Sequence, residues 1–512
     1  MEKPDHFSTE INTSWLNSAK TLTCNAFLLF WGYFADCVCH QNPTQCKVDL
    51  TIGTYMQNTL TTQMVADLAG VHKDTLLRWL RDQAIAEPRR DRRGWRVFSR
   101  QEAEAIAAYA RDSSPVQQPD ETRPAIERLQ KIEWDFASAK TTYLTHGIHP
   151  YPAKFIPQIP NALIQELSSV GETIADIFCG SGTTLLEALQ LKRNAVGIDA
   201  NPLATLISRA KTTPLNEAHF DCVLEHLREC RELSEHIFPA EGDMFYGGKP
   251  FISSGERPDQ KTCEFWFLPH VVEELAEITR LIRGLPTGPA KTLCETALSS
   301  IIVNVSKQDS DTRYVRRDKA ILPGDTVKKY ISQLETVLNA ARELADLIED
   351  RFRCDVHNRN ILDMPETEPF DLVVCSPPYP NAFSYHLYHR TRLLWLGHDP
   401  ETFKKIEIGS HRKYSSKGAG RATEQTFQAE FEVIFQWLRT RLRDRKFACF
   451  VIGDSTLDGQ LIDNASLLSE AGSLTGFREV ARLDRAINAN RKSFNPKIGK
   501  IKTEKILILQ KA

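Results

Sequence analysis

At 512 residues the chain exceeds what one hydrophobic core organises, so two or three domains of about 100 to 200 residues are expected. Its 41% hydrophobic and 25% charged residues are those of a soluble globular protein, and no apolar run reaches the roughly 20 residues of a membrane span, which excludes a bilayer-spanning class. With 64 basic residues against 66 acidic ones there is no overall positive field, so a polyanionic partner has to be met by local basic patches.

Twelve cysteines without framework spacing fit a reducing, cytoplasmic setting better than a disulfide-stapled fold. Cys24, Cys37, Cys39 and Cys46 crowd the first fifty residues, but their spacing is not a usual zinc pattern. TLTCNAFLLFWGYFADCVC has the length of a signal-peptide core, yet acidic residues precede it and Asp36 interrupts it. Residues 1–55 are therefore expected to be an extension uncommitted to any fold. Met56 opens a stretch that looks like a protein beginning, and translation starting there would account for what precedes it.

From Thr61 the pattern becomes regular. Met64, Val65 and Leu68 stand at helical spacing, Gly70 makes a turn, and Leu76, Leu77 and Leu80 mark a second helix, the signature of a helix-turn-helix. Its second helix would offer Lys73, Asp74, Thr75 and Arg78 to base edges and phosphates. Five arginines in eight residues, Arg89, Arg90, Arg92, Arg93 and Arg96, surround Gly94 and Trp95 in a two-stranded wing suited to phosphate neutralisation. The block, with its following Ser99-capped helix, resembles the winged helix-turn-helix of the MerR type. That resemblance implies a small DNA-binding domain over 56–112; contact with another protein is the alternative. Residues 113–127, rich in proline and polar groups, are expected to be a linker, and 128–512 a catalytic domain.

HGIHPYPAKFIPQIPNALI, from 146 to 164, places His146 and His149 at H-x-x-H spacing, but no carboxylate or cysteine partner follows and no metal site is expected. Next, ETIADIFCGSGTTLLEALQLKRNAVGIDANP runs from an apolar strand through a glycine turn, Cys179 to Gly182, into a helix and a second strand ending at Asp199. Glycine lets a ligand approach the backbone, the helix start aims free N–H groups at it, and the acid 17 residues after Gly182 stands where Rossmann-like folds take a ribose hydroxyl pair. Dinucleotide enzymes share this geometry. Residues 211–350 read as a helical insertion, with a long amphipathic helix after Pro323-Gly324-Asp325 and a basic, aromatic cluster of Lys307, Arg313, Tyr314, Arg316 and Arg317 fit for nucleic acid or simply a solvated helix end.

In EPFDLVVCSPPYPNAFSY a buried strand ends in Ser376-Pro377-Pro378-Tyr379. Two prolines stiffen the loop and leave carbonyls free to accept. An aromatic amino group is a poor nucleophile, and fixed acceptors for its two N–H groups help pull it toward a tetrahedral nitrogen. No Pro-Cys dipeptide is present, which argues against carbon-5 cytosine methylation and its thiolate nucleophile. A second basic loop, GSHRKYSSKGAGR, occupies 409–421, and KILIL closes the chain as an apolar strand.

HPYPAKF, FCGSGTTLLEA and SPPY, in this order, resemble the amino-group DNA methyltransferases, the cytosine-N4 and adenine-N6 enzymes, over residues 140–210 and 350–510. The resemblance implies an α/β, Rossmann-like, seven-stranded class I methyltransferase sheet and S-adenosyl-L-methionine as cofactor. Asp176, Phe178, Gly180, Ser181, Gly182 and Thr183 would line its methionine part and Asp199 would take its ribose, with Asn201 also at the cofactor, while Tyr151, Lys154 and Phe155 close over it. Asp363 is the nearest acid to the family's adenine-ring contact, a few residues late. Ser376 and the Pro377 carbonyl would accept from the target amino group, and Tyr379 would stack on a base swung out of the duplex. Ser at the first position of the tetrapeptide is commoner among cytosine-N4 enzymes, so double-stranded DNA methylated at cytosine N4 is the favoured substrate. Adenine N6, an RNA amino group, or an inert DNA-binding regulator are the alternatives. A cognate restriction or defence partner, and a monomer or a dimer, are both compatible with it.

Overall fold

The computed structural model describes residues 60–69, 71, 73–81, 84–91, 95–112, 122–154, 156–237, 250–381, 383–416, 420–487 and 503–512. The expected extension over 1–55 lies outside them. The chain divides into two compact units, Met1–Gln118 and Pro119–Ala512. Among the described residues no helix is long and apolar enough to cross a membrane.

The first unit contains β1 (Leu60–Thr61), α1 (Thr62–Ala69), α2 (Lys73–Arg81), β2 (Arg89–Arg90), β3 (Arg96–Phe98) and α3 (Arg100–Asp112), its strands ordered β1-β3-β2. Ser99 starts α3: its hydroxyl accepts from Glu102 N–H at 3.2 Å while the Glu102 carboxylate accepts from Ser99 N–H at 2.6 Å, a reciprocal cap. The apolar face of α1 differs from the expected one. Val65 and Ala66 are buried, whereas Met64 and Leu68 are 44% and 55% exposed, because a unit this small covers only one narrow stripe of a helix.

The second unit opens with α4 (Thr122–Leu129), so the expected linker over 113–127 is too long: Ala125, Ile126 and Leu129 are buried against Trp134, Leu163 and Ile164. There follow α5 (Gln158–Leu167), β4 (Thr173–Asp176), α6 (Thr183–Gln190), β5 (Asn194–Asp199) and α7 (Pro202–Thr212). The insertion comprises α8 (Glu217–Ile237), α9 (Gln260–Trp266), α10 (Pro269–Gly284), α11 (Pro289–Val305), a hairpin of β6 (Gln308–Ser310) and β7 (Arg313–Arg316), and α12 (Asp325–Leu347). After β8 (Cys354–Asn358) and β9 (Phe370–Cys375) come four short helices, α13 (Tyr385–Tyr388), α14 (Arg390–Trp395), α15 (Pro400–Ile406) and α16 (His411–Tyr414). The chain then forms α17 (Glu424–Arg441), β10 (Leu442–Gly453), a small hairpin of β11 (Ser455–Leu457) and β12 (Gln460–Ile462), α18 (Asn464–Leu474), β13 (Phe477–Ala486) and β14 (Thr503–Lys511).

Seven strands form one sheet in the order β13-β14-β10-β9-β4-β5-β8, parallel except for β14, which runs antiparallel to both neighbours. This is the Rossmann-like α/β sheet that the sequence implied. Strand residues alternate between its faces. Ile174, Leu372, Val374, Cys449, Val451, Ile506 and Ile508 pack under α5 and α6, while Ala175, Val373, Ala448, Phe450, Ile452, Leu507 and Leu509 pack under α17 and α18. Burial on both faces explains why FDLVVC reads as one apolar run.

The insertion has its own core, in which Val223, Leu275, Leu298 and Leu334 are buried. Its long helix begins where Pro-Gly-Asp predicted it, and the buried Glu274 carboxylate accepts from the N–H groups of Gly324, Thr326 and Val327 at 2.6, 3.0 and 3.2 Å. Arg392 of α14 is fully buried; it donates to the Ser299 carbonyl at 2.8 Å and pairs with Asp311 in the turn of the β6–β7 hairpin.

Candidate active site

Three consecutive strands of the sheet, β5, β4 and β9, deliver the site residues at their carboxyl ends, where open α/β sheets bind ligands. Asp176 closes β4, Asp199 closes β5, and Ser376 follows β9 directly. Between the first two runs the glycine loop. Gly180 and Gly182 have φ of +49° and +75°, a region that side-chain-bearing residues seldom adopt, and Gly182 lies where a Cβ would stand 2.9 Å from Ser208 Oγ and 3.1 Å from Ser208 Cα. Thr183 opens α6, and Thr184 Oγ1 donates to the Val374 carbonyl at 3.1 Å, fastening the loop's helix to the strand that carries Ser-Pro-Pro-Tyr.

Asp176 is buried and Asp199 half-buried, and both are held by backbone donors. Asp176 Oδ1 accepts from Phe178 N–H at 3.1 Å, while its Oδ2 and the buried Ser181 hydroxyl have no hydrogen-bond partner in the protein. Asp199 accepts from Gly180 N–H and Asn201 N–H, each at 2.8 Å. Burial pushes the Asp176 carboxyl up to about 7 against the opposing hydrogen bonds, and Asp199 up to about 6. Unsatisfied buried acceptors call for a donor-bearing ligand. S-adenosylmethionine carries an α-ammonium and two ribose hydroxyls, so the residues present fit it.

Tyr151 lies over the loop, its Cε1 3.5 Å from where a Gly180 Cβ would stand. Its ring stacks on Tyr385 with centroids 5.9 Å apart and leans on His389 at 5.1 Å. Asn201 is buried and committed: its oxygen caps α7 by accepting from Leu203 N–H at 3.1 Å, and its Nδ2 meets His389 at 3.1 Å and the Tyr151 hydroxyl at 3.5 Å. It supports Tyr151 more than it offers a free polar atom. Lys154 donates to the His146 carbonyl at 3.0 Å, and Phe155 falls outside the described residues. His146 bonds the buried Glu187 at 2.7 Å and His149 meets Ser299 at 3.0 Å, so the two histidines face separate partners. Asp363 is exposed at the end of a 3-10 turn five residues beyond β8.

In the proline turn Pro377 is buried and Ser376, Pro378 and Tyr379 are half-buried. The Tyr379 hydroxyl donates to Glu504 at 3.0 Å and lies 3.5 Å from the Val451 carbonyl. Burial and the Glu504 charge push that hydroxyl well above the usual tyrosine range. Gly409, at φ +72°, backs the turn; a Cβ there would be 2.7 Å from the Tyr379 carbonyl oxygen and 3.1 Å from Pro378 Cβ. Next to it His386 pairs with Glu407 at 2.6 Å, both buried.

Of the expected nucleic-acid contacts, Lys73, Arg89 and Arg90 are exposed, and Glu87 pairs with Arg90 at 2.8 Å and Arg96 at 2.9 Å. The side chains of Thr75 and Arg78, and all of Arg92 and Arg93, lie outside the described set. The cluster in the insertion sits on a hairpin, not a helix end. Arg313 and Arg316 are exposed on β7, with Asp309 3.1 Å from the first, while Tyr314 turns inward onto Trp266 with centroids 4.6 Å apart. Sequence reasoning missed Tyr385, His389, Glu407, Gly409 and Glu504. Only the YHLYH run after the proline turn, with its helical spacing, could have signalled the first two.

A family model described as DNA methylase matches residues 74–208, which include the glycine loop and both acids. Type II methyltransferase M.MvaI of Kocuria varians is 27% identical over 301 residues, 54% of this chain and 64% of that one. Type II methyltransferase M.MjaII of Methanocaldococcus jannaschii is 22% identical over 420 residues, 66% of this chain and 78% of that one. The chain is thus similar to the amino-group DNA methyltransferases. It spans less than two thirds of the Kocuria relative, and 54% of M.BsoBI of Geobacillus stearothermophilus, to which it is 27% identical. This family likeness supports S-adenosylmethionine as cofactor, and the two unsatisfied acceptors at Asp176 and Ser181 agree with that chemistry.

A pH dependence follows from the two acids. Each folded-state value is raised, so the unliganded protein holds protons there that the ionised, ligand-accepting form must release. Affinity for S-adenosylmethionine should therefore climb as pH rises through 6 to 7, about tenfold per unit below that range for one group, and level off above it. The protonated pair stabilises the unliganded fold fully below the ordinary carboxyl value of 3.8, and that contribution is lost as pH rises from there to the folded values of about 6 and 7. Calorimetric titration between pH 5.5 and 8 checks the slope, which Asp176→Asn should flatten while weakening binding.

Proposed function

We propose that this chain transfers a methyl group from S-adenosylmethionine to an exocyclic amino group in double-stranded DNA, with cytosine N4 favoured over adenine N6. The observation that carries the proposal is the placing of two backbone-held acids and a Ser-Pro-Pro-Tyr turn at the carboxyl ends of adjoining strands, joined by the Thr184 to Val374 hydrogen bond. When bound, the cofactor supplies a methyl group on positively charged sulfur. Asp176 and Ser181 would hold its amino-acid end, Gly180, Gly182 and Thr183 make room for it, and Phe178 and Tyr151 wall it. Asp199 would take the ribose and Asp363 the adenine edge, with Lys154 and Phe155 in the covering segment.

In the turn, the Ser376 hydroxyl and the Pro377 carbonyl would accept from the two N–H groups of the target. Pro378 holds the backbone rigid, and Tyr379 offers a ring face for the flipped base. Exposed Lys73, Arg89 and Arg90, with Thr75, Arg78, Arg92 and Arg93, would meet DNA in the first unit, and Arg313 and Arg316 of the hairpin in the second, beside Tyr314 as support. Arg90 and Arg313 keep their guanidinium groups at the surface in these pairs, so phosphate can compete with the carboxylates. The preference for cytosine rests on Ser376 alone. The Type II names of the relatives support looking for a cognate restriction enzyme.

The test is to incubate the protein with labelled S-adenosylmethionine and mixed-sequence duplex DNA, digest to nucleosides and identify the product by mass spectrometry, with Ser376→Ala alongside. N4-methylcytosine, reduced on the order of 100-fold in the variant, is the expected result. N6-methyladenine would keep the class and overturn the base. Label in RNA, or nowhere, would overturn DNA methylation and favour an RNA enzyme or an inert regulator.

A further inference from the structure

The antiparallel strand has a function in the site that the motifs do not use. Because β14 runs opposite to its neighbours, its first residues lie at the edge where the parallel strands end: Glu504 pairs in register with Gly453, the last residue of β10, and with Arg485 of β13. There its carboxylate receives the Tyr379 hydroxyl at 3.0 Å. Arg485 forms an ion pair with Glu504, the two side chains being 9% and 14% exposed, and the same guanidinium donates to the Trp134 carbonyl at 3.1 Å.

We propose that Glu504 is a positioning residue for the target base: through the hydroxyl it fixes the Tyr379 ring, so the face offered for stacking is set before DNA arrives. This rests on the reading of Tyr379 given above. Tyr379 stands between Pro378 and Pro380, which hold its backbone but leave its side-chain torsions free. A hydrogen bond to a charged acceptor is roughly twice as strong as a neutral one, and it anchors the far end of the ring, where the lever arm is longest. Arg485 pairs with Glu504 and aims it, and is itself steadied by the Trp134 carbonyl. Sets of this kind hold catalytic groups within the narrow tolerance that stacking and in-line attack require.

The full chain is assayed for methyl transfer to mixed-sequence duplex DNA as wild type, Tyr379→Phe, Glu504→Ala, Glu504→Gln and the double variant Tyr379→Phe/Glu504→Ala, with Tm measured for each. Glu504→Ala should lower kcat about 10- to 100-fold while the KM for DNA moves by less than about threefold. Tyr379→Phe should do the same, and the double variant should be no worse than either single one, because both remove the same bond. Glu504→Gln should recover most of the rate, since an amide meets the tyrosine hydroxyl either as acceptor or as donor. Taking the Tyr379→Phe effect within each Glu504 background removes any loss of stability from an unpaired Arg485.

Losses that multiply in the double variant, a change confined to KM or Tm, or a Glu504→Gln rate as low as that of Glu504→Ala would each overturn the role of Glu504. A wild-type chain that methylates no DNA overturns the reading of the site, and the role of Glu504 falls with it. Methylation with multiplied losses overturns the role alone.

Discussion

Gly182→Val should abolish measurable binding of S-adenosylmethionine while leaving the sheet folded. Two costs coincide at this position. The backbone at φ +75° is one in which a side chain meets the following carbonyl, at about 1 to 2 kcal/mol, and more for a β-branched residue. The added Cβ would also stand 3.1 Å from Ser208 Cα in α7, which packs under the loop and cannot withdraw as a flexible side chain would. The loop must then move, carrying the Gly180 N–H off Asp199 and the Ser181 hydroxyl away from its place. A displacement on the order of 1 Å costs about 100-fold at a preorganised site, and with the backbone strain the loss should reach roughly 1000-fold. Equilibrium dialysis with labelled cofactor, paired with circular dichroism, separates loss of binding from loss of fold. Gly182→Ala should be milder, and adding Ser208→Ala should recover only part of it, since that change removes the 2.9 Å contact with Oγ but not the one with Cα. Full recovery would show that backbone crowding is not the cause.

Gly409→Val should strike the other half of the site. A Cβ would meet the Tyr379 carbonyl oxygen at 2.7 Å, and the contact is with the backbone of the proline turn itself, which Pro377, Pro378 and Pro380 prevent from yielding. The turn would shift away from β9, taking the Ser376 hydroxyl and Pro377 carbonyl with it. Methyl transfer should fall by roughly 1000-fold, while affinity for S-adenosylmethionine, whose proposed residues lie on β4, β5 and the glycine loop, should change by less than about threefold. Equal losses in cofactor affinity and in rate would refute the separation of the two halves. The contrast with Gly182→Val, which fails at binding, makes the pair informative together.

The sequence was most legible where local geometry dictates residue type. The glycine loop must turn sharply against a helix, so the strand, the glycines and Asp199 could be placed from spacing alone, and all of them converge in the structure. The continuous apolar run of β9 marked a strand buried on both faces and put Ser376 at its end. Features assembled by tertiary folding left no such trace. Glu504 reaches Tyr379 across 125 residues, and before folding it is only a charged residue ahead of an apolar run. Gly409 sits in a basic loop that drew attention for its charges, whereas its position matters for what it leaves out. The insertion's basic cluster looked like a helix terminus because QDSDTRYVRR has no strand-like alternation; Arg392, arriving from α14 to pair with Asp311, anchors the hairpin turn from outside. Asn201, expected at the cofactor, spends its hydrogen bonds on a helix cap, a role that Asn takes at helix starts throughout proteins.

The insertion between β5 and β8 has a consequence for how the chain comes to be folded at all. These strands are hydrogen-bonded neighbours, yet Asn194 and Arg353, which bond across them, are 159 residues apart. For an unstructured chain that separation makes the pairing slow and its closure entropically costly, by about 0.6 kcal/mol for each doubling of the loop. The intervening helices, however, share one buried cluster, in which α8, α10, α11 and α12 pack on one another through contacts nearer in sequence than the strand pairing, so they can close before it. Once they have condensed, most of the loop behaves as a single rigid bead, and β8 emerges beside the edge of β5 with only short tethers left to order. A nascent chain can thus carry a long detour without losing its place in the sheet.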